Sequence, residues 1–340
     1  MFGRYLKTVL NGERLNADEA YSTAHMLLHD AIPATQAAAL LGALRTRKES
    51  FEELSGFVEA LLEEAVTIDS EMELIDTCGT GGDGLGTFNI STAAALIVAS
   101  CGVAVAKHGN RAMSGSVGSA DVLEALGVNV QMEPDHARRM LEKVGMTFLF
   151  APNYHPVLKQ VGPLRRELGV ATIFNFLGPL LNPCSLSYQI LGLADGDLQE
   201  AVASTLASRG LKRAMVVHAD NGMDEISPAS YTRVFDVDQR GVRIYNVHPE
   251  DAGFQPVSLD AVRGGSAEAN AQIMLNIAEG ELSSYRDAAI LNAAAALMTA
   301  GKAANLKEGA QIASESIKAG KTKALLKNMI SFSRDQVLVC

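Results

Sequence analysis

The chain has 340 residues, of which 48 % are hydrophobic and only 5 % aromatic, and its formal net charge is −10. This length accommodates one large domain or two ordinary ones, built around an aliphatic, alanine-rich core. The acidic balance argues against general affinity for nucleic acid or anionic lipid, because both of these partners require a basic surface.

The four cysteines lie far apart and form no CxxC pair, so neither a zinc site nor a disulfide framework is expected. The first fifteen residues lack the apolar segment of a signal peptide. The most apolar run, 93–106, is shorter than the roughly 20 residues that a membrane span requires, and Gly102 interrupts it. We therefore expect a cytoplasmic protein whose thiols are reduced.

Residues 1–66 are predicted to be wholly helical. Asn16 with Glu19, and Ser50 with Glu53, have the spacing of capping boxes, and Pro33 precedes a segment rich in Ala and Leu. We expect three short helices here, each with a broad apolar face. Such helices cannot bury these faces alone, so they must pack on the rest of the chain or on a second copy of it.

From about residue 72, short strands alternate with helical segments, which predicts βαβ units and a largely parallel sheet. The predicted strands read "ELIDT", "VAVAKHG", "MTFLFAP", "SYQILGLA" and "RAMVVHA". Ser119 is the expected cap of the helix "SADVLEALG". The proline-containing segment 155–183 is expected to return to the N-terminal helices. A peripheral hairpin, "TRVFDVDQRGVRIYNV", and alanine-rich helices from about residue 266 complete the chain.

A glycine-rich stretch, "DTCGTGGDGLGTFNIST" at 76–92, lies between the first predicted strand and the following helix. Backbone N–H groups and a helix N-terminus converge on an anion at such a position. Glycine allows the backbone to approach the anion's oxygen atoms without interference from a Cβ atom. The stretch therefore indicates a phosphate-binding loop.

Three kinds of phosphate loop can be compared with this stretch. A Walker A loop is excluded, because no Gly-Lys-Ser/Thr follows. The dinucleotide-binding fingerprint matches at Gly79, Gly81 and Gly84, but it predicts an acidic residue at the end of the next strand, where this chain has Lys107. A phosphate or diphosphate cradle of another family, and a glycine-rich turn without a ligand, stay open as alternatives.

A second glycine- and serine-rich loop, "KHGNRAMSGSVGSADVLEALG" at 107–127, follows the second predicted strand. Loops that follow neighbouring parallel strands meet above the carboxyl ends of the sheet, where open α/β folds bind ligands. The cationic and polar side chains of this loop form a predicted polyanion site: Lys107, His108, Asn110, Arg111, Ser114 and Ser116.

A third stretch, "VVHADNGMDEIS" at 216–227, carries Asp220, Asp224 and Glu225 after a predicted strand. Carboxylates beside a phosphate site repel the ligand unless a cation lies between them. Mg²⁺ is bound in this way, by a few carboxylates together with the phosphates of a substrate. The alternative is an acidic surface turn.

Together with "RRELG" and "TIFNFLGPLLNP" at 165–183, these stretches resemble the anthranilate phosphoribosyltransferase family of tryptophan (aromatic amino acid) biosynthesis. The resemblance covers nearly the whole chain. It implies an α/β fold of the nucleoside phosphorylase kind, with a small N-terminal helical domain and a larger α/β domain around a central, largely parallel sheet. Residues 1–70, joined by about 160–185, would form the first domain, and 71–340 the second.

The resemblance implies transfer of the phosphoribosyl group from 5-phosphoribosyl 1-diphosphate to anthranilate, which gives N-(5-phosphoribosyl)anthranilate and diphosphate. It also implies a cytoplasmic homodimer formed through the helical domains, with neither nucleic acid nor membrane as a partner. The residues implied for the phosphoribosyl diphosphate site are Gly79, Gly82, Asp83, Thr87, Asn89, Ile90, Ser91, Thr92, Lys107, His108, Gly109, Asn110, Arg111, Ala112, Met113, Ser114, Gly115 and Ser119.

The same resemblance implies that anthranilate contacts Gly79, Asn110 and Arg165. It implies two Mg²⁺ ions per subunit, one shared by the diphosphate, Ser91 and Glu225, and the other held by Asp224 and Glu225. The sequence departs from the family pattern at Ala171, where an arginine is common.

Two other functions stay open at this point. A pyrimidine nucleoside phosphorylase shares the architecture but needs no pair of metal-binding carboxylates. A non-catalytic relative that binds nucleic acid should have lost the Asp-Glu pair and gained a basic surface, whereas this chain keeps Asp224 and Glu225 and is acidic.

Overall fold

The computed structural model describes residues 1–29, 31–112 and 117–335. Within these ranges, the N-terminal part of the chain forms four helices, α1 (Phe2–Leu10), α2 (Ala17–Leu28), α3 (Ala34–Arg47) and α4 (Phe51–Glu63). The prediction of three helices is therefore wrong. The additional helix, α1, begins after Met1 without any side-chain capping bond, so it lacks the start signal that marks α2 and α4.

Both predicted capping boxes are confirmed. The backbone N–H of Glu19 donates to the Asn16 side chain at 2.9 Å, and that of Glu53 donates to the Ser50 hydroxyl at 3.3 Å. In each box the glutamate side chain accepts a hydrogen bond from the backbone N–H of the capping residue. These reciprocal bonds satisfy N–H groups that have no partner within the helix.

A seven-stranded sheet forms the centre of the larger domain. Its strands are β1 (Leu74–Gly79), β2 (Ala104–Gly109), β3 (Met146–Phe150), β4 (Tyr188–Gly192), β5 (Arg213–Ala219), β6 (Thr232–Asp238) and β7 (Gly241–Val247). They lie in the order β3-β2-β1-β4-β5-β6-β7. The first five in this order are parallel, and β6 and β7 are added antiparallel as a hairpin at one edge. The predicted strands and the peripheral hairpin are confirmed.

Helices cover both faces of this sheet, as the alternation of strands and helices predicts. They are α5 (Ile90–Ser100), α6 (Ser119–Ala125), α7 (Pro134–Val144), α8 (Ala151–Tyr154), α9 (Gly162–Leu168), α10 (Phe174–Leu177), α11 (Gln199–Ser208), α12 (Ala267–Glu279), α13 (Ser284–Thr299), α14 (Leu306–Lys318) and α15 (Lys321–Arg334). One aliphatic core joins α5, the sheet and the four C-terminal helices. No helix in the described part of the chain is long and apolar enough to cross a membrane.

A second core joins the N-terminal helices to the other face of the sheet. Phe57 of α4 packs edge-on against Phe174, with ring centroids 6.1 Å apart, and α4 lies against α11. Val161 and Leu180 are buried in the same core. The segment between β3 and β4 therefore packs with the N-terminal helices and not in the sheet.

The start of α6 differs from its prediction. Ser119 is the first residue of this helix, and Gly118 is in the capping position. The carboxylate of Asp121 accepts hydrogen bonds from the N–H groups of Gly118 at 2.9 Å and Ala112 at 3.2 Å. The prediction that Ser119 caps the helix is wrong, because Ser119 lies within the helix and its hydroxyl donates to the Asn110 carbonyl at 3.4 Å.

The packing of α2 on α4 leads to a stability prediction. A Cβ atom at Gly56 would lie 2.6 Å from the Tyr21 backbone nitrogen and 2.7 Å from the Ala20 Cβ. Gly56→Ala should therefore lower the free energy of unfolding by about 1–3 kcal/mol. Gly42→Ala, on α3, is the matched control: its Cβ would meet nothing within 4 Å. This control should be stabilising by about 0.5–1 kcal/mol. Urea denaturation measures both changes, and equal effects would contradict the close packing.

Candidate functional site

A cleft of about 910 Å³ lies at the carboxyl ends of the parallel strands, between the loops that follow them and the segment 151–181. Met113, Ser114, Gly115 and Ser116 lie outside the described residues. Every other residue predicted for the two substrates and the metal lines this cleft: Gly79, Gly82, Asp83, Thr87, Asn89, Ile90, Ser91, Thr92, Lys107, His108, Gly109, Asn110, Arg111, Ala112, Ser119, Arg165, Asp224 and Glu225.

The glycine-rich loop after β1 needs its glycines because of their backbone conformation. Gly81, Gly82, Gly84 and Gly86 have φ angles between +65° and +80°, in the left-handed region that other residues rarely adopt. The end of the loop is held by a hydrogen bond from the Gly264 N–H to the Gly86 carbonyl at 2.8 Å. The loop then leads directly into the N-terminus of α5, so the loop backbone and the positive end of a helix dipole face the same space.

Asp224 and Glu225 lie after β5 and reach this loop and helix. The Gly81 N–H donates to Asp224 Oδ2 at 2.6 Å, and the Ser91 N–H donates to Glu225 Oε1 at 3.0 Å. Burial, and the nearby charge of Asp83, raise the pKa of Asp224 to about 7. Burial, and the charge of Asp224, raise the pKa of Glu225 to about 8. When both carboxylates are ionised, their burial and mutual repulsion destabilise the folded protein, and a cation between them would relieve the repulsion.

Lys107 is buried on β2 beneath the pair. Its ammonium group donates to the Thr77 carbonyl at 2.5 Å and to the Ser91 hydroxyl at 3.4 Å. Burial raises the pKa of two nearby carboxyls, those of Asp76 and Glu225. The positive charge of Lys107 acts in the opposite direction and offsets part of this rise. Lys107 therefore brings positive charge under the glycine loop and the carboxylate pair.

Two buried histidines, one predicted and one not, form part of the cleft wall. His108 Nδ1 donates to the Gly178 carbonyl at 3.2 Å, and burial lowers the pKa of His108 to about 3, so its ring is neutral. His155 packs against it with ring centroids 5.3 Å apart and is hydrogen-bonded to the Leu181 carbonyl at 2.7 Å. No sequence motif marks His155, because it stands alone between a short helix and an irregular segment.

Arg165 and Arg111 have different surroundings. Arg165, on α9, is partly buried with its guanidinium 5.7 Å from the centre of the Phe174 ring, and burial lowers its pKa. The guanidinium of Arg111 is paired with Asp121 at 2.9 Å and with Glu124 at 2.5 Å, and these partners raise its pKa. Both guanidinium groups therefore line the cleft, that of Arg165 over an aromatic ring and that of Arg111 in ion pairs with two carboxylates.

The cleft also contains an ion-pair cluster that the sequence did not indicate. Lys48, at the end of α3, contacts Asp195 at 2.7 Å and Asp197 at 3.3 Å, and Arg45 also pairs with Asp195. Asp195 follows β4, so these pairs link the helical domain to the sheet at the rim of the cleft. Residues 45 and 195 are 150 positions apart, and local sequence patterns carry no information about such a contact.

Family models match the chain in two consecutive parts. The helical bundle domain of a glycosyl transferase family matches residues 4–65, and the a/b domain of the same family matches residues 71–323.

Similar proteins agree with these matches. The anthranilate phosphoribosyltransferase of Syntrophomonas wolfei is 65 % identical over 340 residues and covers 100 % of both chains. That of Petrotoga mobilis is 43 % identical and covers 98 % of this chain and 97 % of its own. The crystal structure of the Thermus thermophilus enzyme has a TM-score of 0.91 at 39 % identity, covering 97 % of this chain and 99 % of its own. The enzyme of Saccharomyces cerevisiae, in complex with PRPP and Mg, has a TM-score of 0.90 at 26 % identity, covering 98 % and 97 %.

The raised pKa values of the pair predict how stability depends on pH. The folded protein holds protons on Asp224 and Glu225 that an unfolded chain releases near pH 4. The free energy of unfolding of the metal-free protein should therefore fall as the pH rises from about 4 to about 8. In the double variant Asp224→Asn with Glu225→Gln, this part of the pH dependence of the free energy of unfolding should disappear. Thermal melts at pH 5 and pH 8 measure the difference between the two proteins.

Mg²⁺ supplies the control for this experiment. At pH 8, millimolar Mg²⁺ should raise the Tm of the wild-type protein and leave that of the double variant unchanged, because only the wild type has anionic ligands to offer. The same pH slope in both proteins, or the same response to Mg²⁺, would mean that the two carboxylates form an ordinary acidic turn.

Proposed function

This chain belongs to the glycosyl transferase family that contains the anthranilate phosphoribosyltransferases, and from this premise we propose that it transfers phosphoribosyl from 5-phosphoribosyl 1-diphosphate to anthranilate. The products are N-(5-phosphoribosyl)anthranilate and diphosphate. The main structural support is the meeting of the glycine loop, buried Lys107 and the Asp224–Glu225 pair in one cleft. The other two functions are not favoured, because a phosphorylase needs no such pair and a nucleic-acid-binding relative should lack it.

We assign phosphoribosyl diphosphate, which donates the phosphoribosyl group, to the glycine loop, the N-terminus of α5 and the loop after β2. We keep the full set of residues predicted above for phosphoribosyl diphosphate in these three segments. Each of these residues that the structure describes lines the cleft. The left-handed glycines bring N–H groups to the diphosphate without side chains in the way. Lys107 contributes a fixed positive charge beneath them.

The residues present suit Mg²⁺. Asp224 and Glu225 supply hard oxygen ligands whose mutual repulsion a cation removes, and the Ser91 hydroxyl lies beside them. We propose that Ser91, Asp224 and Glu225 hold two ions per subunit. When bound, Mg²⁺ would neutralise the charge that develops on the departing diphosphate.

The acceptor is an aromatic amine, which is already neutral at pH 7 and needs no strong base. What it requires is alignment with the anomeric carbon, on the face opposite the diphosphate, so that the configuration is inverted. We assign its carboxylate to Arg165, whose planar guanidinium can bind it through two hydrogen bonds, with Asn110 and Gly79 alongside. Ala171 also lines the cleft, where many family members have an arginine.

We further propose how the chain is organised. Residues 1–70 with about 160–185 form the helical domain, and residues 71–340 form the α/β domain. The protein is a cytoplasmic homodimer that associates through the helical domains, and neither nucleic acid nor membrane is a partner. Leu10, at the end of α1, is an apolar side chain of the helical domain that is 59 % exposed, so it offers a position at which to test this interface.

Arg165 tests the proposed function directly. Wild-type protein with phosphoribosyl diphosphate and Mg²⁺ should consume anthranilate, which is followed as a loss of its fluorescence. Arg165→Ala should raise the KM for anthranilate by about 30-fold or more, since a desolvated bidentate contact is worth roughly 2–4 kcal/mol. The KM for phosphoribosyl diphosphate should change little. Arg166→Ala, one position along α9 and exposed, is the matched control and should behave as wild type.

Two results would contradict this assignment. A wild-type protein that leaves anthranilate unconsumed would remove the proposed activity. An Arg165→Ala protein whose two KM values rise equally would mean that Arg165 only supports packing between the domains.

The dimer is tested by sedimentation. At micromolar concentration the wild type should have about twice the 36.0 kDa mass of one chain. Leu10→Glu should shift it toward monomers, whereas Leu282→Glu should not, because Leu282 is 79 % exposed but lies in the larger domain. A monomeric wild type would disprove the proposed interface.

A further inference from the structure

Three potential metal ligands lie together on the helical domain, outside the cleft. His25 is in the last turn of α2, His29 follows the end of that helix, and Glu64 follows the end of α4. The two imidazole rings have centroids 4.3 Å apart, and His29 Nε2 lies 3.0 Å from Glu64 Oε1. One ligand atom from each residue can be chosen so that all three lie within 4.8 Å of one another.

The spacing in the chain explains this arrangement. Residues four positions apart project from the same face of a helix, so the two imidazoles point in one direction. The ends of α2 and α4 are fixed relative to each other, because Gly56 allows α4 to pack directly on the backbone of α2. Glu64 is therefore brought to the histidines by the packing of two helices and not by a flexible loop.

Two imidazole nitrogens and one carboxylate oxygen are a ligand set typical of zinc. Zn²⁺ binds imidazole nitrogen and carboxylate oxygen at about 2.0–2.2 Å in tetrahedral geometry, which puts neighbouring ligand atoms roughly 3.3 Å apart. The ligand atoms lie within 4.8 Å of one another, and His25 and His29 are exposed, so their side chains have room to rotate toward this distance. Mg²⁺ does not compete for this set, because it prefers oxygen ligands and near-octahedral geometry.

The electrostatic surroundings also favour a cation. Tyr21, one turn before His25, bonds through its hydroxyl to Glu63. This bond raises the pKa of Tyr21, and the charges of Glu63, Glu59 and Glu64 act in the same direction. These three carboxylates make the surface around the histidines negative. A divalent ion is attracted to such a surface before any ligand bond forms.

We propose that His25, His29 and Glu64 form a zinc site, separate from the carboxylate pair of the cleft, with its fourth coordination position open to water. The ion would connect the ends of α2 and α4 and so stabilise the helical domain. The site does not depend on the proposed transferase activity, and none of its three ligands lines the cleft.

Calorimetry with ZnCl₂ tests this proposal on the untagged full-length chain, stripped of metal and kept in excess Mg²⁺. The wild type should bind one Zn²⁺ per chain, and its Tm should rise by a few degrees at a hundredfold excess over Kd. His25→Ala and His29→Ala should each weaken binding at least tenfold, and Glu64→Gln should also weaken it. Co²⁺ should give the visible absorption of a tetrahedral site in the wild type and not in the histidine variants.

Two controls separate this site from other zinc ligands. His248→Ala is matched, because the His248 ring lies 3.4 Å from the Glu250 carboxylate but belongs to no group of three metal ligands among the described residues. It should retain wild-type affinity, as should Asp224→Asn with Glu225→Gln. A wild type without stoichiometric Zn²⁺ binding, histidine variants that bind as wild type, or an equal loss in His248→Ala would each overturn the proposal.

Discussion

The position of Asp224 against bare backbone is the constraint on which the site depends. A Cβ atom at Gly79 would collide with the Asp224 carboxylate, and one at Gly192 would collide with its backbone. Strands β1 and β4 end in these two glycines, side by side in the sheet. Because both lack side chains, the turn after β5 can fold over the sheet edge and bring Asp224 and Glu225 to the N-terminus of α5. The acidic pair, the glycine loop and the helix dipole are thereby combined in one place.

This arrangement stores electrostatic repulsion in the protein without ligands. Carboxylates with raised pKa values are held by N–H groups of Gly81 and Ser91, and one buried lysine offsets only part of their charge. The Gly81 and Ser91 N–H groups belong to the backbone and do not rearrange easily. The pair is therefore preorganised for a cation, and a cation between the carboxylates would allow phosphate groups to approach them.

Sequence patterns predicted most of the fold, because its strands, its helix caps and its glycine loop are local features. The loop residues that we predicted for the site, where the structure describes them, line one cleft, since the loops after parallel strands converge whatever the details of packing. The features that the sequence patterns missed depend on contacts between distant residues, or lack a capping or turn motif. Helix α1 has no cap, Gly192 matters only through Asp224, and Lys48 meets Asp195 across the domains.

The burial of α5 has a consequence for the order in which a new chain can fold. Nearly every residue of this helix is buried, and it packs against α13, α14 and α15. These partners are encoded about 200 residues later, and the central pairing of β1 with β4 also waits for residue 192. During synthesis α5 therefore leaves the ribosome long before its partners do. The first half of the chain must stay unaggregated with this apolar segment exposed until the last helices emerge.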